Sequence, residues 1–230
     1  KSMKATFALL VACALPAGFG ASALRAQQAQ QTVPREISER LNESANVLLE
    51  MAAGPSDGIP EGDLAKARCI AVIPGLKRGA FIVGAQHGAG FASCRTTAGW
   101  SAPAAVKLSG GSIGLQAGGE ESDVVMALLN PNAQYQLLQE GLKFGTNATA
   151  MAGSVGRVTD NARADALVWS RSGGAFAGVS VNGATLRADD DANRDLYGAG
   201  ISPELVLSGR VQPPQAADQF MQILSRVAGR

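Results

Sequence analysis

A chain of 230 residues with 46% hydrophobic and 17% charged positions carries enough apolar content to bury a core, which excludes a disordered protein. Its 28 glycines and 5% aromatic residues point to many turns and a tightly bent sheet rather than a helical bundle. The formal charge is +1; setting aside Lys1, Lys4 and Arg25 leaves 17 basic against 19 acidic residues, near −2, so a general nucleic-acid-binding role has no electrostatic basis.

The first thirty residues read as an export signal. Lys1 and Lys4 supply positive charge, ATFALLVACAL is an apolar run too short to span a bilayer, and small residues follow in GASALRA. Cleavage after Ala23 or Ala26 fits the small-residue rule, while LVAC, Leu10 to Cys13, has the form of a lipobox that would place lipid on Cys13. The two processings exclude each other, and ordinary cleavage is preferred because the apolar run before Cys13 is short. Both predict an exported protein: periplasmic, outer-membrane-associated or secreted. The expected organisation is a signal over 1–26, a polar Gln/Ala linker over 27–34 and a single domain over 35–230.

In VPREISERLNESANVLLEMAA, Ile37, Leu41, Ala45, Leu48 and Ala52 recur at helical spacing, with Pro34 suited to the first turn and a stop at Gly54-Pro55. Such a stripe suits core packing first and a membrane-facing role second. DGIPEGDLAKAR reads as a turn plus a short helical piece. From Cys69 the period changes: CIAVIP, GAFIVGAQ, GFASCR, WSAPAAVKL, GGSIGLQAG and SDVVMALL are short β-prone runs between turn residues, as in antiparallel hairpins or a barrel. NPNAQYQLLQ predicts a helix, and ALVWSRS, GAFAGVSV and ATLRAD predict further strands. DDDANRDLYG reads as helical, and a last amphipathic helix runs from Pro214 with Ala217, Phe220, Leu224 and Val227 on one face. The expected fold is α+β, a curved antiparallel or barrel-like sheet flanked by N-terminal and C-terminal helices.

Gly110, Gly111, Gly114 and Gly118 lie in KLSGGSIGLQAGGEESDVVMAL. A phosphate-binding loop would need a Lys and a Ser/Thr at fixed spacing and a helix start; here Glu120 and Glu121 follow instead, so the glycines mark strand curvature or close backbone approach. Catalytic chemistry is thin. The single histidine, His87, falls in AQHGAG, where a hairpin turn is expected. DDDAN resembles the start of an EF-hand, but Arg194 and Gly200 stand where Gly and Glu are required, so Asp189 or Asp190 is expected to cap a helix. Glu120, Glu121 and Asp123 form a carboxylate cluster that could serve acid-base catalysis but reads better as a solvated strand end. Cys69 and Cys94 either form a disulfide closing a loop of about 25 residues, worth about 3 kcal/mol, or are two buried thiols on different strands. No catalytic residue, metal or cofactor is assigned.

Four separated blocks, ARCIAVIPGLKRGAFIVGAQHGAG, GWSAPAAVKLSGGSIGLQAGGEESDVVMALL, KFGTNATAMAGSVGR and SRSGGAFAGVSVNGATLRADDDANRDLYG, together resemble the SYLF domain family, also called the actin-regulator or lipid-binding SYLF family. The resemblance spans about residues 35 to 228 and is similar to bacterial exported members. It implies a non-enzymatic membrane-binding module: eukaryotic members bind phosphoinositide-containing membranes, helped by an N-terminal amphipathic segment, and some bind actin filaments. A headgroup site needs cations near one face, and the candidates are Lys66 and Arg68 before the first strand, the pair Lys77 and Arg78, and Arg35 and Arg40 on the leading helix. Glu36, Glu39, Glu43 and Glu50 weaken that helix's attraction to anionic lipid. The expected partner is a phospholipid or membrane surface. The alternatives are an interaction protein of the cell envelope, with a protein filament as partner, and a hydrolase built on Glu120, Glu121 or Asp123.

Overall fold

Period-two stretches organise the centre of the chain into a sheet, and the helical stretches cover it. The computed structural model describes residues 33–54, 58–80, 84–112, 118–146, 148–152, 164–177 and 181–229. The export-signal reading, with Cys13, and the expectation for Gly114 fall outside the described residues. The elements in chain order are α1 (Arg35–Ala52), α2 (Glu61–Ala65), β1 (Cys69–Ala80), β2 (Gly84–Thr96), β3 (Gly99–Trp100), β4 (Ala104–Ser112), β5 (Gly118–Leu128), α3 (Pro131–Leu138), β6 (Leu142–Lys143), β7 (Ala150–Ala152), β8 (Ala166–Ser172), β9 (Ala175–Ala177), β10 (Ala184–Ala188), α4 (Asp190–Tyr197), α5 (Pro203–Leu207), a 3-10 turn (Gln215–Ala217) and α6 (Asp218–Val227).

The strands pair in the order β6-β10-β4-β2-β1-β5-β8-β7, with β3 beside β2 and β9 beside β8. All of these pairings are antiparallel except β7 with β8. Among the described residues β6 and β7 do not meet, so the α+β expectation holds with an open sheet rather than a closed barrel.

The run Cys69-Ile70-Ala71-Val72-Ile73 is apolar at every position because both faces of β1 are buried. On one face Ile70, Val72, Phe91, Val125 and Trp169 pack with Leu41 and Leu48 of α1 and Phe220 and Leu224 of α6. On the other, Ala71, Ile73, Met126 and Val168 pack with Leu137 of α3, Leu142 and Val206. The apolar stripe of α1 is therefore core: Ile37, Leu41, Ala45 and Leu48 are all buried. Arg95 fastens the end of α6 to the sheet. Its guanidinium donates to the carbonyls of Ala228 and Ala67 and lies 4.4 Å over the Trp100 ring, while Trp100 Nε1 donates to Gly229 O at 2.7 Å. A cation at the carbonyl end of a helix also favours the helix dipole.

Two sequence expectations change here. CIAVIP does not end a strand, because β1 runs on through Pro74-Gly75, where the register shifts against both β2 and β5; GAFIVGAQ is no strand of its own, its Gly79 and Ala80 closing β1 and its Gly84 opening β2. Proline lacks the ladder N–H and is tolerated at a bulge, and Gly75 takes φ +54°, with its N–H donating to Asp123 Oδ1 at 3.1 Å. His87 lies inside β2 opposite Lys77 rather than in a turn, because the hairpin reverses earlier, after Ala80, which pairs with Gly84.

Cys69 and Cys94 face each other across β1 and β2, fully buried, and are joined by a disulfide with Cα atoms 3.9 Å apart. Asp189 occupies the cap position of α4 but makes no side-chain cap bond; its carboxylate instead accepts from Lys107 Nζ at 3.3 Å. Buried Asn193 takes over sheet pairing where β10 ends: Oδ1 accepts from Ala105 N and Nδ2 donates to Ala105 O, both at 2.8 Å.

Candidate functional site

Strand alternation and helix length together leave part of the sheet open. The face buried under α1 and α6 continues past the Gly75 bulge to Lys77, Gly79, Ala85, His87 and Gly111. These five positions are exposed. A Cβ built at Gly79 would meet nothing within 4 Å, so this end of the sheet presents backbone and small side chains beside the polar Lys77 and His87, with the exposed Glu121 of β5 directly opposite Lys77 and Ser109 of β4 opposite His87. Lys107 lies along the same face but is engaged with Asp189.

The six predicted cations are not brought together. Arg35 pairs with Glu39 at 2.6 Å at the start of α1, and Arg40 is half-buried on the same helix. Lys66 lies 3.6 Å from the buried carboxylate of Asp63, and Arg68 is exposed at the start of β1. Nine strand positions separate Arg68 from Lys77, roughly 30 Å at about 3.3 Å per residue. Lys77 and Arg78, expected to act as a pair, point to opposite faces, since successive side chains of a strand alternate. Arg78 is directed to the face covered by α3 and α5, its side chain only 16% exposed, with Nη1 3.9 Å from Glu120 Oε2. Burial pushes its pKa below the usual arginine value, and Glu120 opposes that shift.

The carboxylate cluster divides in the same way. Glu120 faces Arg78; Glu121 and Asp123 are on the other face, where they line a cleft of about 490 Å³ with Glu43, Glu50, Gly75 and Arg171. Arg171 Nη2 donates to Glu50 Oε2 at 2.7 Å and to Asp123 Oδ2 at 3.2 Å. Burial alone would lower the Arg171 pKa, and those two hydrogen bonds with their charges outweigh it and raise it. Both oxygens of Asp123 are thus engaged, one with Gly75 N and one with Arg171, which suits a structural brace better than a proton acceptor. Among the described residues no group of three or more metal-ligating side chains comes together. Sequence reading misses Arg171 and Gln86; both are polar residues in β-prone runs, and only pairing partners from distant strands give them a place.

Residues 109–227 match the family described as Ysc84, Las17-binding protein actin regulator. The chain is 32% identical over 206 residues to LAS seventeen-binding protein 3 of Saccharomyces cerevisiae, covering 84% of this chain and 45% of that protein. Protein YSC84 of the same yeast gives 32% identity over 206 residues, covering 84% and 44%. The SH3 domain-containing YSC84-like protein 1 of Mus musculus gives 32% over 206 residues, covering 84% and 60%. The chain spans about half the length of the yeast relatives and somewhat more of the mouse one. No solved structure matches it.

Proposed function

The chain belongs to the Ysc84/SYLF family, and from that premise we propose that it is a non-catalytic, exported binding module that docks on anionic, phosphoinositide-like headgroups through the open end of its sheet. The observation that supports this reading is the exposed face at Lys77, Gly79, Ala85, His87 and Gly111: a low-relief patch that carries the Lys77 ammonium, with Glu121 as its cross-strand neighbour, and that no helix covers among the described residues. The stripe of α1 is buried in the core, so α1 has no free apolar face to insert, which favours the sheet face as the contact surface. Each Lys or Arg near an anionic surface contributes about 1 kcal/mol, and salt screens it.

Flotation with anionic and zwitterionic vesicles at low and high salt tests the reading. Lys77→Glu removes one favourable charge and adds an unfavourable one, so affinity should fall roughly tenfold or more, with an unchanged circular-dichroism spectrum. A purified protein that binds neither bilayer at low salt refutes it. N-terminal mass spectrometry on protein from the native host tests the exported setting.

A second reading is favoured by the acidic cleft and by the names of the relatives, one of them a Las17-binding actin-regulator family. Four carboxylates, Glu43, Glu50, Glu121 and Asp123, surround the single Arg171, which suits a basic segment of a protein partner, as an interaction or filament-binding role would need. Binding would then be independent of lipid and lost on Glu43→Lys.

A further inference from the structure

Six buried side-chain nitrogen and oxygen atoms among the described residues lack a hydrogen-bond partner, and five of them lie in one patch: Arg78 Nε and Nη2, Gln86 Nε2 and Oε1, and Ser122 Oγ. The register explains why they share a surface. Arg78 is paired with Gln86 on β2 and with Glu120 on β5, and Ser122 is paired with Leu76, one same-face step from Arg78. Gln86 and Ser122 are each 2% exposed. Buried polar atoms are almost always answered, so a cluster of unanswered ones marks a place where a polar group belongs.

The chemistry of that group follows from what is left free. Arg78 turns Nη1 toward Glu120, and at 3.9 Å that contact is an ion pair without a hydrogen bond. The opposite edge of the guanidinium, Nε and Nη2, is the planar two-donor fork that matches a carboxylate or phosphate. Gln86 Nε2 and the Ser122 hydroxyl add donors, against one dedicated acceptor, Gln86 Oε1. Donors outnumber acceptors, so the missing partner is acceptor-rich.

We infer that Arg78, Gln86 and Ser122 form an interior oxyanion site that takes the carboxylate or phosphate group of a small molecule or of a lipid. It rests on no part of the membrane-docking reading, because Lys77 and Arg78 stand on opposite faces of β1.

The test is thermal melting and calorimetric titration of the intact chain with inorganic phosphate and with hexanoate, against sodium chloride at matched ionic strength. A saturable stabilisation beyond the chloride control is expected. Arg78→Lys keeps the charge but loses the fork, so binding should weaken roughly tenfold or more. Arg210→Gln, at an exposed cation outside both sites, should bind as the unaltered chain does. Gln86→Met serves if Arg78→Lys fails to fold: it removes two unanswered atoms, so the ligand-free protein should melt higher while its response to phosphate or hexanoate shrinks. Phosphatidic acid vesicles that displace the small probe place the group on a lipid, and vesicles that do not compete place it on a soluble molecule; either outcome upholds the site. A response no larger than the chloride control for both probes overturns it, as does an Arg78→Lys protein that binds as tightly as the unaltered chain.

Discussion

Gly90 and Gly79 make a paired test of how the glycine-rich strands are built. Gly90 lies in β2 beside the bulge of β1, and a Cβ added there would enter the carbonyl oxygen of Val72 and stand 2.9 Å from the Val72 carbon and 3.0 Å from Ile73 Cα. All three atoms are backbone of the central pair of strands, so no rotamer change relieves the clash. Overpacking a fixed core costs 1–3 kcal/mol, and with backbone as the obstacle Gly90→Ala should lie at the upper end, about 3 kcal/mol. For a domain of this size that lowers the melting temperature by about 6–12 °C. Gly79 is one of the exposed positions of β1, has no positive φ, and leaves open space where its Cβ would go. Gly79→Ala should therefore raise stability by about 0.4–1 kcal/mol through the unfolded chain's lost freedom. Urea titrations of both variants with the disulfide intact decide the matter. If Gly90→Ala lies within about 0.5 kcal/mol of the parent, the range of an ordinary surface change, the close approach of β2 to β1 is not what selects glycine there.

Two further outcomes follow from buried groups. The Cys69–Cys94 bond closes a 25-residue separation, so Cys69→Ala with Cys94→Ala should cost about 3.5 kcal/mol, seen as a melting point lower by about 7–14 °C; a loss under about 1 kcal/mol would show that the bond adds little to the strand pairing. Burial pushes the Tyr197 hydroxyl, which donates to Pro103 O at 2.6 Å, well above its ordinary value of 10.0, so the folded protein keeps a proton that the unfolded chain loses above about pH 10. Stability from this group is intact below that pH and falls as pH rises past it, by up to about 1.4 kcal/mol per unit, and Tyr197→Phe should melt with a visibly flatter alkaline limb than the parent; identical limbs would contradict the burial.

The elements that carry their own periodicity are legible in the sequence. The stripes at Ile37, Leu41 and Leu48 and at Phe220 and Leu224 reappear in α1 and α6, and the runs CIAVIP, GFASCR, SDVVMALL, ALVWSRS and ATLRAD reappear in β1, β2, β5, β8 and β10. What sequence could not supply was partnership. Pro74-Gly75 looks like a strand end in the sequence because a proline without its cross-strand context signals a break, and only the pairing with β5 and Asp123 reveals that the chain passes straight through. The same gap explains the site. Adjacent Lys77 and Arg78 look like one basic patch along the chain, yet a strand divides every neighbouring pair between two faces. One cation is thereby delivered to the open face and the other to an interior row with Gln86 and Ser122, residues 8 and 44 positions further along that no local pattern connects to it. Charge counted along the sequence therefore overstates a surface site and hides a buried one. The two faces must be tested separately, with Lys77→Glu read on vesicles and Arg78→Lys read on a soluble oxyanion.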